Sequence, residues 1–107
     1  MPYYLVQAAY TPDAWAAQAK NPQDRAEALR PAVEALGGKL QSFYLAFGEY
    51  DAVVIVEMPD NVSAAAVSIA AAAGGGVKAI MTTPLMTTQE GKEAMRKAGQ
   101  AGYRAPS

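Results

Sequence analysis

Hydrophobic and polar positions along the chain fall into blocks that alternate between a strand-like and a helix-like period. Tyr3-Tyr4-Leu5-Val6-Gln7-Ala8-Ala9-Tyr10 is aromatic and branched nearly throughout, and Thr11-Pro12-Asp13 follows with a capping hydroxyl and a proline suited to a first helical turn. A strand and then a short helix, Asp13 to Lys20, are predicted. Asn21-Pro22-Gln23-Asp24 repeats the cap-and-proline signal and opens a second helix, in which Ala26, Leu29, Val33 and Leu36 share one face. Pro31 inside that helix predicts a kink or a break, since it lacks an N–H and its ring crowds the carbonyl of Glu27.

Gly37-Gly38 ends the helical pattern. Lys39 to Phe47 then reads as a second strand, Gly48-Glu49 as a turn, and Ala52-Val53-Val54-Ile55-Val56 as a third strand with the unbroken apolar character of one covered on both sides. The pair predicts an antiparallel hairpin. Pro59-Asp60-Asn61 interrupts it, and Val62 to Ala73 forms an alanine-rich helix, expected to lie close to a sheet because its side chains are small, closed by Gly74-Gly75-Gly76. Val77 to Thr83 supplies a fourth strand. Thr87-Thr88-Gln89-Glu90 is a capping box opening a last helix through Ala98, and the residues after Gly99 form an extended arm.

Strand, helix, strand, strand, helix, strand and a helical tail make an α+β chain in the split βαβ arrangement of ferredoxin-like domains, with a four-stranded antiparallel sheet. We place that domain at residues 1–86 and a C-terminal helix and tail at 87–107. Such a sheet carries its helices on one side. Yet Val53 and Ile55 point one way and Val54 and Val56 the other, so both faces call for burial. Packing against a second copy, as a dimeric α/β barrel, meets that demand, and a homodimer or higher homo-oligomer is expected. The competing expectation folds the tail helix back over the open face.

Composition narrows the partners. Nine basic and ten acidic residues give a formal charge of −1, so no basic excess exists to displace counterions from a nucleic acid. Cysteine and histidine are absent, which removes disulfides, thiolate nucleophiles, imidazole bases and the usual zinc or histidine-ligated haem sites. No metal or other cofactor is expected, and a reducing, cytoplasmic location is compatible with this usage. The longest alanine-rich run, Ala64 to Ala73, is too short for a membrane span of about 20 residues, and no secretory leader is expected.

Gly48-Glu49-Tyr50-Asp51, set between two strands and followed by Ala52 to Val56, resembles the Gly-x-Tyr-Asp signature of the GYD domain family, a group within the dimeric α/β-barrel proteins. Tyr10-Thr11, Arg25, Gly37-Gly38-Lys39, Glu57-Met58-Pro59-Asp60 and Lys78 to Thr83 extend the resemblance over almost the whole chain. The resemblance implies the barrel fold and no particular reaction, because related barrels include cofactor-free monooxygenases, isomerases and haem enzymes.

Candidate chemistry therefore rests on residues. Tyr50 and Asp51 stand at a strand-to-strand turn, where a catalytic donor and base would be rigidly held; the plainer alternative has Tyr50 packing and Asp51 capping nearby N–H groups. Tyr4, Tyr10, Trp15, Phe43, Tyr44, Phe47 and Tyr50 supply aromatic area for a pocket between sheet and helices, suited to a small apolar or aromatic ligand, the alternative being core or dimer interface. Arg25, Glu49 and Glu57 are candidates to bind or polarise an acidic or carbonyl-bearing group, the alternative for Glu57 being a strand-end carboxylate in solvent or paired with Lys39 or Lys78. The three function classes that follow are a small-molecule-binding domain, a cofactor-independent monooxygenase or isomerase, and an assembly protein gripping a neighbour with its tail.

Overall fold

The computed structural model describes residues 1–107. Strands β1 (Tyr3–Tyr10), β2 (Lys39–Leu45), β3 (Ala52–Glu57) and β4 (Val77–Leu85) form one antiparallel sheet in the order β2-β3-β1-β4. Helices α1 (Pro12–Lys20) and α2 (Arg25–Ala35) connect β1 to β2, and α3 (Asn61–Ala73) connects β3 to β4. Each crossover skips one strand, so two βαβ units interleave, which is the ferredoxin-like arrangement. A final helix, α4 (Thr88–Gly99), follows β4.

The helices start where capping chemistry places them. Thr11, Asp24 and Asp60 each accept a backbone N–H from the first turn of α1, α2 and α3 respectively. Thr87 and Glu90 exchange bonds at the start of α4, a capping box of 3.1 and 2.9 Å. The end of α2 is equally specific: Gly37 takes a φ of +84°, and the N–H groups of Gly38 and Gly37 return to the carbonyls of Val33 and Glu34. Gly38 admits no side chain at all, because a Cβ there would stand 2.4 Å from the Glu57 carbonyl oxygen.

Three expectations change. Helix α2 runs unbroken through Pro31, since Pro31 and Glu27 both lie on its exposed side and water can satisfy the carbonyl that the proline leaves free. The second strand stops at Leu45 instead of Phe47, and the segment 46–51 closes as a loop in which the Ala46 N–H donates to the Asp51 carbonyl. Pro84 extends β4 beyond Thr83 without harm, because β4 is an edge strand with one side free of ladder bonds.

The core lies between the sheet and α2 and α3. Tyr4, Val6, Val54, Val56, Leu40, Val33, Met58, Ala64 and Val67 are buried together there. Val33, Val56 and Met58 are completely enclosed, each worth about 2 kcal/mol of apolar burial. Tyr3, Leu5, Gln7, Val53, Ile55 and Met81 occupy the alternate positions, on the face without helices. No helix is long and apolar enough to cross a membrane.

Candidate functional site

Above the end of the sheet where β1 runs into α1, the helices leave a cavity of about 380 Å3. Fifteen of its twenty lining residues are hydrophobic, a composition that favours an apolar occupant. Val6, Ala8, Val54 and Phe43 make its floor, and Ala14, Leu29, Val67 and Ala71 contribute from the helices. Space exists because the roof is built of short side chains. The first half of α3 packs down through Ala64 and Val67, whereas Ala70, Ala71 and Gly74 line open volume. The alanine-rich helix thus lies close to the sheet over only part of its length.

Four lining side chains carry polar atoms: Tyr10, Gln18, Gln23 and Arg25. Arg25, the first residue of α2, is half-buried and donates from Nη1 to Gln23 Oε1 at 2.8 Å. Gln23 in turn donates from Nε2 to the Asn21 carbonyl at 3.4 Å, a long contact that still orients the amide. Burial pushes the Tyr10 hydroxyl above the ordinary tyrosine range; the neighbouring Arg25 guanidinium opposes that rise, and the Asp51 carboxylate adds to it.

Asp51 stands behind this wall. Its Oδ2 accepts from the Tyr10 backbone N–H at 2.9 Å and from Trp15 Nε1 at 3.3 Å, while its own N–H donates to the Ala8 carbonyl at 2.8 Å. The Trp15 ring meets Tyr10 edge to face, centroids 5.2 Å apart. One carboxylate oxygen therefore ties the end of β1, the start of α1 and the β2–β3 loop into a unit. Tyr50 is half-buried in the same loop and does not line the cavity.

Of the residues singled out from sequence, Tyr10, Trp15, Arg25, Phe43 and Asp51 converge on this end, with Tyr10, Arg25 and Phe43 facing the cavity itself. Tyr4 is fixed farther along β1, its hydroxyl donating to Asn61 Oδ1 at 2.6 Å and so pinning the start of α3. Tyr44 and Glu57 lie on the opposite face of the sheet. Tyr44 pairs with Val53 and is 69% exposed. Glu57 pairs with Tyr3, whose hydroxyl it raises in pKa by hydrogen bonding, and it forms no ion pair with Lys39 or Lys78.

Gln18, Gln23 and the small roof residues were not singled out from sequence. The available signal was the run of alanines closed by three glycines, which leaves volume wherever the helix is held off the sheet. The family model of the GYD domain matches residues 4–95. No curated protein matches the chain.

Proposed function

The chain belongs to the GYD domain family, and we propose that it binds a small, largely apolar molecule in the cavity between its sheet and helices. The observation that supports this most is an apolar cavity of about 380 Å3, of the size that ordinary small-molecule sites have. Its polar side chains are a guanidinium, two amides and a phenol with a raised pKa, groups that orient a ligand. No carboxylate or imidazole lines it to take a proton, which favours binding over cofactor-independent oxygenase or isomerase chemistry. Asp51 serves as a positioning residue that holds Tyr10 and Trp15 at one wall.

Titration of the full chain with the neutral dye N-phenyl-1-naphthylamine tests this reading. Saturable fluorescence enhancement, suppressed when Ala71→Phe fills the cavity, is the expected result. Enhancement that is absent, or that survives Ala71→Phe unchanged, contradicts it.

A second role, self-assembly, is favoured by the position of α4. A compact chain of this length has a radius of gyration of about 13 Å; this one has 17.0 Å and a longest dimension of 57 Å. No residue of α4 is buried, and Gly91, Ala94, Met95 and Ala98 form an unpartnered apolar stripe along it, Met95 being 75% exposed. A helix of this length is marginal in water without tertiary packing. The arm departs beside the open face, where Tyr3, Ile55, Leu85 and Met86 border a shallow depression. A second copy of the chain supplies an apolar surface for both, its sheet covering the open face and its edge receiving α4.

A further inference from the structure

Arg25 is the only formally charged side chain on the cavity wall. The molecule's ion pairs, Glu27–Arg30 and Glu93–Arg96, are elsewhere, so no carboxylate neutralises this guanidinium. Two carboxylates at this end of the fold are engaged elsewhere. Asp24 Oδ1 caps α2 by accepting the Ala26 N–H, and Asp51 Oδ2 accepts from Tyr10 and Trp15 behind the wall.

A guanidinium carries five N–H donors in a planar fork; Arg25 commits Nη1 to Gln23 and also engages the Tyr10 hydroxyl, which leaves further donors of the fork without a protein partner. Gln23 is uncharged, so it orients the fork without cancelling its charge. The rest of the fork stands where an apolar cavity meets solvent, half-buried and beside the Tyr10 hydroxyl. A positive charge held against apolar walls is poorly solvated unless an anion joins it, and a carboxylate matches the fork through two parallel bonds.

From this geometry we infer that the cavity takes a small monocarboxylic acid with an aromatic or branched aliphatic body, its carboxylate on Arg25 and its body against Leu29, Phe43, Val67 and Ile80. One cation on the wall matches one negative charge, which selects a carboxylate over a dianionic phosphate ester. The Tyr10 hydroxyl is placed to donate to the same head group. This inference rests on the cavity being a binding site and adds the class of ligand.

The test is an amide NMR titration of the full chain with cyclohexanecarboxylate and with its uncharged counterpart cyclohexanecarboxamide, repeated on Arg25→Gln. Both compounds are expected to shift the Leu29, Phe43 and Val67 amides of the wild type, the acid binding about tenfold or more tightly, as a charge-assisted hydrogen bond implies. Arg25→Gln is expected to weaken the acid far more than the amide, bringing the two to similar affinities. Equal affinities in the wild type, or an acid affinity untouched by Arg25→Gln, overturn the carboxylate inference and leave the cavity as a neutral apolar site. If neither compound shifts these resonances and the neutral dye also fails to bind, the binding reading itself falls with it.

Discussion

The two faces of the sheet are made of the same residue types and meet opposite fates. In β3, Val54 and Val56 are enclosed beneath the helices, whereas Val53 and Ile55, one position away, are only half-buried on the other side. The strand's own chemistry does not distinguish them. The difference comes from topology: both βαβ crossovers lay their helices on one face, so one apolar surface is covered within the chain and its twin is left for something outside it. The covered face encloses the cavity in which we propose a ligand binds, and the uncovered one is the surface we propose for a second copy.

The sharpest way to break this contrast is to place a charge on each face. Val56→Asp buries a lone carboxylate at a fully enclosed site and is expected to cost roughly 4 kcal/mol or more, enough to unfold most of the chain in a urea titration. Ile55→Asp, on the open face, is expected to leave the fold intact and to dissociate the assembly, as read by light scattering after gel filtration. Equal loss of folding in both variants would erase the distinction between the faces.

Asp51→Ala comes next, with an expected loss of about 2 kcal/mol, because the Tyr10 N–H loses a charged acceptor in a part-buried setting. Trp15 fluorescence should shift in the same variant as its indole N–H is released. Thr87→Ala removes one half of the α4 capping box and is expected to cost the helix about 1 kcal/mol, visible as faster amide exchange confined to α4. If α4 packs on a partner copy, that exchange should also quicken on dilution to monomer.

The smallest effect expected is that of acid. The Ser63 N–H holds the Asp60 carboxyl below the usual carboxylate range, and the Thr87 N–H does the same for Glu90. Carboxyls lowered in the folded state add stability that is present above their unfolded values and fades as pH falls through the lowered ones. Amide exchange at the starts of α3 and α4 should therefore quicken below the ordinary carboxylate range, with the middle of β3 following only on global unfolding.

Most of the fold was legible because its signals are local. Thr11, Asp60 and the Thr87–Glu90 box each act within a few residues, and Gly37-Gly38 states the end of α2 in the same way. Ala46 and Phe47 read as strand in the sequence because Phe47 has strand-like chemistry, yet it lies fully exposed beyond the last rung. The cavity was only partly legible, and Tyr44 explains why. Strict alternation from the buried Leu40 would put Tyr44 on the helix side. A register shift between Leu40 and Ser42 inserts one residue, so Phe43 faces the cavity and Tyr44 the open side. No local signal in Lys39 to Leu45 marks that bulge. The convergence of Arg25 with Tyr10 likewise depends on how α2 sits over the end of β1, a tertiary matter.

Native mass spectrometry of gently purified protein tests the central claim, that one face of the sheet holds a small molecule and the other a second copy. A dimer or larger assembly carrying a reproducible extra mass that disappears in Ala71→Phe, while the assembly persists, is the expected result. A bare monomer at micromolar concentration would contradict it on both faces.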